Sequence, residues 1–444
     1  MTDIIRGLIG MAAIVGLAYA ISNNRKHIDW RLVVTGLGLQ FVLAVFILKG
    51  RSMAEFWAPL GWPKEFFSWI SSFFVIVLDF TTEGAVFIFG DLAKSPGTGD
   101  SMGSFFAFQV LPTIIFFASL TAILYHYGIL QRVVEYIGRG MQKLMGTSGA
   151  ESLSVISNIF VGQTEAPLVV KPYIERMTKS ELLAVMTGGM ATIAGGVMAA
   201  YVQMLGNSYA QVQGVTLEAG RLLFAEQLLG ASLMAAPAAL VIAKMLYPET
   251  EEPETKGHIN VQIEQTDANG IDAAATGAAV GLRLAANVGG MLLAFIALLA
   301  MGNYFLEAFG NLTGLNTLIP GSGLRIETLL GWAFAPVAWI VGVPWAEAAS
   351  MGSLLGTKVV LNEFVAYLQL SELIGTDSLS PKTVVMATFA LCGFANFSSI
   401  AVQIGGIGGL APSRKSDLAM FGIKAVIAGT LANLMTATVA GMLF

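Results

Sequence analysis

Asn158-Ile159-Phe160-Val161-Gly162-Gln163-Thr164-Glu165-Ala166-Pro167 sets an amide, a hydroxyl and a carboxylate between apolar runs, Val155 to Phe160 before and Leu168 to Val170 after. Neither flank is long enough to cross a hydrocarbon core, which takes about 20 residues. The stretch is therefore expected to enter the membrane and turn back. Gly162 and Pro167 bracket the polar residues, and both disfavour a continuous helix, one through backbone entropy and the other through its missing N–H. Broken backbone at membrane depth persists only against protein or a wet cavity, and a cavity lined by Gln163, Thr164 and Glu165 reads as a binding site.

The surrounding chain fits that setting. Its 444 residues are 55% hydrophobic and 12% charged, with a mean hydropathy of +0.72, which marks an integral membrane protein rather than a soluble domain. Fifty glycines and 20 methionines suit helices packed through small and adaptable side chains. The single cysteine, Cys392, excludes an internal disulfide framework. A net charge of −5 without a basic tract excludes nucleic acid as a partner. Ile4 to Ile21 is followed by Asn23-Asn24-Arg25-Lys26 and not by a small-residue cleavage site, so it is expected to be a retained first helix.

Runs long enough to span are Ile4 to Ile21, Leu32 to Leu48, Phe105 to Tyr127, Leu182 to Met204, Leu222 to Leu246, Ala278 to Phe305, Val384 to Ile404 and Leu418 to Leu443. The fold expected is all-α and polytopic, with about eight transmembrane helices. Arg25, Lys26, Arg31, Arg132, Arg139, Lys143, Lys171, Arg176, Lys179, Arg414 and Lys415 fall on one side, the cytoplasmic side, under two conditions. Phe66 to Gly90 must stay peripheral, as Asp79 and Glu83 at its middle suggest, and the opening stretch and Leu329 to Ala349 must each dip in and out. The N-terminus is then outside. Gly128 to Gly146 alternates apolar and basic residues at helical spacing and is expected on the cytoplasmic surface. The polar linker from Pro248 to Ile271 is expected to be a flexible cytoplasmic loop.

A second dip is expected at Gly342-Val343-Pro344-Trp345-Ala346-Glu347-Ala348, again a helix breaker beside a glutamate. Each dip is followed by a span interrupted at its middle, by Gly188-Gly189-Met190-Ala191-Thr192-Ile193-Ala194-Gly195-Gly196 in the first case and by Gly393-Phe394-Ala395-Asn396-Phe397-Ser398-Ser399 in the second. Three helices separate the dips, which gives them opposite orientations and predicts an inverted repeat whose tips, with Glu165 and Glu347, meet near mid-membrane. Paired interruptions in oppositely oriented halves point to the substrate site of a secondary transporter. The expected organisation is N-terminal helices and the peripheral segment in 1–104, a first repeat in 105–250 with a hairpin near 151–175, a linker in 251–277, and a second repeat in 278–444 with a hairpin near 329–362.

At these residues the chain resembles the concentrative nucleoside transporters. The likeness runs over nearly the whole length and is densest in GQTEAPLVV (162–170), IAGGV (193–197), GVPW with Glu347, NEFVAY (362–367) and CGFANFSSIA (392–401). The resemblance implies a homotrimer in a bacterial cytoplasmic (inner) membrane, each protomer carrying a scaffold and a mobile transport domain, and nucleoside uptake coupled to sodium or, in some members, a proton. It also implies nucleobase contacts from Gln163, Thr164 and Glu165, a pocket lined by Val197 and Phe394, and ribose contacts from Glu347, Asn396 and Ser399. The implied sodium ligands are the side chains of Asn158 and Thr192 and the carbonyls of Val161 and Ile193.

The residue chemistry agrees. Gln163 offers a donor and an acceptor to a base edge, and a carboxylate accepts from two adjacent hydroxyls. Neutral oxygen ligands suit a hard cation and not zinc or copper. The alternatives are a proton-coupled nucleoside or nucleobase carrier and, more remotely, an intramembrane hydrolase using Glu165 or Ser148, Ser152 and Ser154, which lack the adjacent histidine that a nucleophile wants. No organic cofactor is expected.

Overall fold

The computed structural model describes residues 2–94, 101–103, 105–257, 267–319 and 323–444, and among these the chain is helical with no strand. The N-terminal part holds α1 (Thr2–Ala20), α2 (Trp30–Phe56) and α3 (Trp62–Phe89). Asp29 starts α2 by accepting from the N–H groups of Arg31 and Leu32 at 2.9 and 3.2 Å. A short α4 (Phe106–Gln109) leads into α5 (Leu111–His126). The amphipathic helix expected between Gly128 and Gly146 is α6 (Ile129–Met145), bounded by those two glycines at φ of 69° and 70°, where a left-handed residue ends a helix without a Cβ clash.

Next come α7 (Gly149–Ser157), α8 (Lys171–Ile174), the interrupted pair α9 (Lys179–Ala191) and α10 (Gly195–Gln213), and α11 (Leu217–Leu246). The second half runs through α12 (Gly270–Thr313), α13 (Ile326–Ile340), α14 (Trp345–Val360), α15 (Glu363–Gly375), a second interrupted pair α16 (Pro381–Leu391) and α17 (Phe397–Leu410), and α18 (Lys415–Leu443). Among the described residues eight helical stretches are long and apolar enough to cross a membrane, and α13 and α14 add a pair bent by 117° at the expected breaker Gly342 to Pro344.

Helix α3 differs from its sequence expectation. Phe66 to Gly90 falls almost wholly within this continuous 28-residue helix, which qualifies as a span by length and composition. An unpaired aspartate at mid-helix is costly in a membrane, and Arg221 on α11 supplies Asp79 with a partner at 3.0 Å. Lys64 at the other end of α3 pairs with Glu226 of α11 at 2.7 Å. The linker also has an ordered part. Thr255 accepts from the N–H of Gly149 and of Ala150, through its carbonyl and hydroxyl respectively, both at 3.0 Å, and so caps α7. His258, with the rest of 258–266, lies outside the described residues.

The opposed insertion of the two interrupted pairs can be read along α18. Its first residues meet the start of α9, where Arg414 donates to the Met177 carbonyl at 2.6 Å. Its last turn meets α16, where a Cβ on Gly441 would sit 2.7 Å from the Met386 sulfur. Between them Asn433 donates to the carbonyl of Ala191, the last residue of α9, at 2.7 Å. Helices α9 and α16 therefore enter from opposite ends of α18 and stop near its middle. The breaks touch, since a Cβ on Gly393 would lie 2.6 Å from the Met190 carbonyl oxygen, and its φ of 142° is one that only glycine adopts readily.

Small residues bring the outer helices together. Gly277 and Gly281, four residues apart on α12, face α5 so closely that a Cβ would meet the Ala118 carbonyl and the Ile115 Cα, each at 2.7 Å. This is the small-xxx-small contact by which membrane helices approach. Replacing Gly281 with leucine overpacks that seam by about 1–3 kcal/mol. The melting temperature of the Gly281→Leu protein in detergent is expected several degrees below that of the wild type, and an unchanged melt would contradict the packing described.

Candidate functional site

The site is assembled from one turn and two helix breaks. Helix α7 is launched by a capping box in which Glu151 N–H donates to the Ser148 hydroxyl at 3.3 Å and Ser148 N–H to the Glu151 carboxylate at 2.7 Å. It stops at Ser157, and the turn that follows carries Asn158 to Glu165 across the break between α9 and α10. Gly195 N–H, at the start of α10, donates to the Phe160 carbonyl at 3.2 Å, and a Cβ on Gly189 would meet the Gln163 Cβ at 3.0 Å.

The four residues expected to hold a cation lie on these two touching segments. Asn158 and Thr192 are almost fully buried. Asn158 spends an amide N–H on the Ser154 carbonyl at 3.0 Å, and Thr192 spends its hydroxyl proton on the Gly188 carbonyl at 2.9 Å. Their oxygens are acceptors. The Val161 N–H is satisfied by the Ser157 carbonyl at 2.9 Å and the Ile193 N–H by the Ser232 hydroxyl at 3.4 Å, so what these two residues bring to a ligand is carbonyl oxygen. Among the described residues no three His, Cys, Asp or Glu side chains gather as a metal cluster. The donor set is one of neutral oxygens, which fits a hard monovalent cation.

On its other flank the turn reads one face of α17. The Gln163 amide donates to the Ser399 hydroxyl at 3.2 Å and accepts from the Gln403 amide at 3.0 Å. A Cβ on Gly406 would strike the Thr164 methyl at 2.8 Å. Ser399, Gln403 and Gly406 follow the i, i+4, i+7 spacing of a single helix face. Asn396 caps α17, accepting from Ser399 N–H at 2.9 Å, and its amide donates to the Glu363 carboxylate at 2.9 Å. Glu165 folds its carboxylate back over Gly162 within the turn, and Val197 lies in the first turn of α10. Phe394 stands in the α16–α17 break, half-buried, its carbonyl accepting from Asn396 N–H at 2.9 Å.

Glu347 does not join them. Its carboxylate accepts from the Ser380 N–H at 3.1 Å and the Ser380 hydroxyl at 2.9 Å, at the start of α16. The ten steps from Ser380, the cap of α16, to Ala390 rise about 15 Å at 1.5 Å each, and it is Lys358, at the far end of α14, that reaches Ala390. The breaker at Gly342 to Pro344 thus bends the chain near the surface end of α16. The depth of the site is reached where α14 hands over to α15, at Leu361 to Phe364. The expectation that Glu165 and Glu347 share one pocket is corrected on this geometry.

The carboxylate beside Asn396 is Glu363, 5% exposed, which also accepts from the Tyr201 hydroxyl at 3.1 Å. Its signal was present in the sequence as a glutamate inside the apolar NEFVAY stretch. What hid it was the nearer helix breaker beside Glu347. Gln403, fully buried within an apolar run, carried no local signal at all. Two of the serines considered for a hydrolase have structural roles: Ser148 caps α7, and the Ser152 hydroxyl donates to the Ser148 carbonyl at 2.8 Å.

Comparison with known proteins bears on this arrangement from outside. Three family models match in succession: an Na+ dependent nucleoside transporter N-terminus over residues 9–92, a nucleoside recognition region over 107–208, and an Na+ dependent nucleoside transporter C-terminus over 227–441. The chain is 45% identical over 441 residues to an uncharacterized transporter, YutK, of Bacillus subtilis, covering 99% of each. It is 40% identical to the nucleoside permease NupC of Helicobacter pylori, covering 98% of this chain and 96% of that one. It is 39% identical to the human sodium/nucleoside cotransporter 1, of which it spans 63%. A structure of CNTnw in an inward-facing substrate-bound state superposes with a TM-score of 0.84 at 43% identity, covering 99% of this chain and 98% of that one. An outward-facing variant of CNTnw superposes with a TM-score of 0.86 at 42% identity, covering 100% and 98%. The chain belongs to the concentrative, Na+ dependent nucleoside transporter family.

Proposed function

We propose that the protein imports nucleosides by sodium symport with alternating access. The observation that carries this is the hydrogen bond from Gln163 to Ser399, which closes the first turn onto the second broken helix and gathers amide, hydroxyl and carboxylate groups at one depth. That set suits a neutral solute with amide and amine edges on one part and hydroxyls on another. Gln163, Thr164 and Glu165 meet the base, with Val197 and Phe394 as apolar walls. Asn396, Ser399 and Glu363 meet the ribose, Glu363 in the role first expected of Glu347.

A neutral solute gains nothing from membrane potential, whereas one co-transported cation adds about 2.3 kcal/mol per 100 mV. Asn158, Val161, Thr192 and Ile193 are the oxygens for that cation. The family's alternating arrangement, seen for CNTnw in inward- and outward-facing states, supports a scaffold and a moving part within 1–104, 105–250, 251–277 and 278–444. By the same reading the protein is a homotrimer in a bacterial inner membrane with its N-terminus outside.

Reconstituted into vesicles, the protein is expected to accumulate radiolabelled uridine when sodium is high outside and to lose that accumulation in choline. Uptake indifferent to sodium would remove the symport, and no uptake of any nucleoside would remove the function. A pocket that hydrogen-bonds a hydroxyl rejects partners that leave its polar groups unpaired by factors up to about 10⁴. Glu363→Gln is accordingly expected to cut uridine kcat/KM by at least about 100-fold, while Glu347→Gln stays close to wild type. The reverse pattern would return the ribose role to Glu347.

A further inference from the structure

Lys358 is the one lysine on α14, a residue 1% exposed at the depth where both broken helices end. Its ammonium donates to the Ala390 carbonyl of α16 at 2.9 Å and to the Asn433 side-chain oxygen at 2.7 Å. The Asn433 amide in turn donates to the Ala191 carbonyl of α9 at 2.7 Å. Nothing in the substrate or cation chemistry derived above uses this chain of contacts, yet it joins the C-terminal ends of the two half-helices to the second hairpin and to α18.

The electrostatics of those ends require something there. The last four carbonyls of a helix lack intrahelical donors, and the helix dipole leaves about half a negative charge at its C-terminus. Two C-terminal ends brought together in the membrane interior amount to about one negative charge, and one ammonium neutralises it. The capping is unequal. The α16 end takes the charge directly, while the α9 end receives only a neutral amide, which leaves the next residues, Thr192 and Ile193, with oxygens for an exchangeable cation.

We propose that Lys358 is a positioning residue for transport, a covalently attached cation that holds in the second repeat the place the coupling cation takes in the first. It fixes the α16 end, and thereby the Phe394 to Ser399 segment that meets the nucleoside. Through Asn433 it orients the α9 end, and thereby the Thr192 and Ile193 oxygens. The second half of this statement rests on the symport reading, and the first does not.

Lys358→Met keeps an unbranched side chain one atom shorter and removes the charge. In vesicles it is expected to raise both the uridine KM and the sodium concentration for half-maximal uptake by about tenfold, a loss of orientation and not of fold. Lys358→Arg, which keeps a charge and donors, is expected to hold both constants nearer to wild type than the methionine variant does. Wild-type constants in Lys358→Met, or an arginine variant no better than methionine, would overturn the proposal. Should Lys358→Met fail to reach the membrane, Asn433→Ser separates the two ends: the sodium constant is expected to rise with the uridine KM at saturating sodium little changed. A serine variant that moves neither constant, or both alike, would overturn it. If wild-type uptake ignores sodium, the symport falls while the uridine KM of the Lys358 variants still tests the positioning role.

Discussion

Backbone polar groups set the terms for this protein. A helix that stops inside a membrane leaves N–H and C=O groups that lipid cannot satisfy, each at a cost of several kcal/mol. The chain stops four half-helices at one depth, and each end is answered by a named partner. Asn433 and Lys358 take the carbonyls of Ala191 and Ala390, Tyr367 on α15 donates to the Thr388 carbonyl near the end of α16, and Asn396 and the Phe160 carbonyl serve the N-terminal ends of α17 and α10. The polar groups that make the interruption tolerable are the same ones that give the protein something to recognise a solute with.

The division of charge follows from the same constraint. The C-terminal end of α16 faces Lys358 and that of α9 is followed by the Thr192 and Ile193 oxygens, while the N-terminal end of α17 lies beside Glu363 through Asn396. A solute that carries hydroxyls and amide edges meets donors and acceptors already oriented by helix ends, so little ordering is left to be done on binding. Around this centre the packing is tight and made of small residues. The touching of the breaks at Gly393 and the α5–α12 seam at Gly277 and Gly281 leave no space for a Cβ.

Much of this was legible in the sequence because periodicity and breakers report local structure faithfully. Seven of the eight expected spans, the two interrupted helices, the α6 glycine bounds and the first turn are all local features; Val384 to Ile404 is instead divided between two shorter apolar helices. Gln163, Ser399, Asn396, Asn158 and Thr192 stand out as polar residues at breaks, while the roles expected of them came from the resemblance to the family. What the sequence withheld is three-dimensional. Asp79 looked too costly for a membrane helix until Arg221, 142 residues away, paired with it. Glu347 looked like the mirror of Glu165 because both sit beside a breaker, yet Gly342 to Pro344 turns the chain near the start of α16, and the carboxylate at depth is Glu363. Lys358 and Gln403 had no signal beyond being polar in an apolar run.

The central claim is that the turn after α7 closes onto α17, bringing two oppositely inserted halves to one site. Cys392 is the single native cysteine and can be replaced first. Paired cysteines at Gln163 and Ser399, whose native side-chain tips are 3.2 Å apart, should then be joined within one protomer by mercury or a short bifunctional thiol linker, and a pair at Gln163 and Glu347 should not. Cross-linking of the second pair in preference to the first would contradict the account.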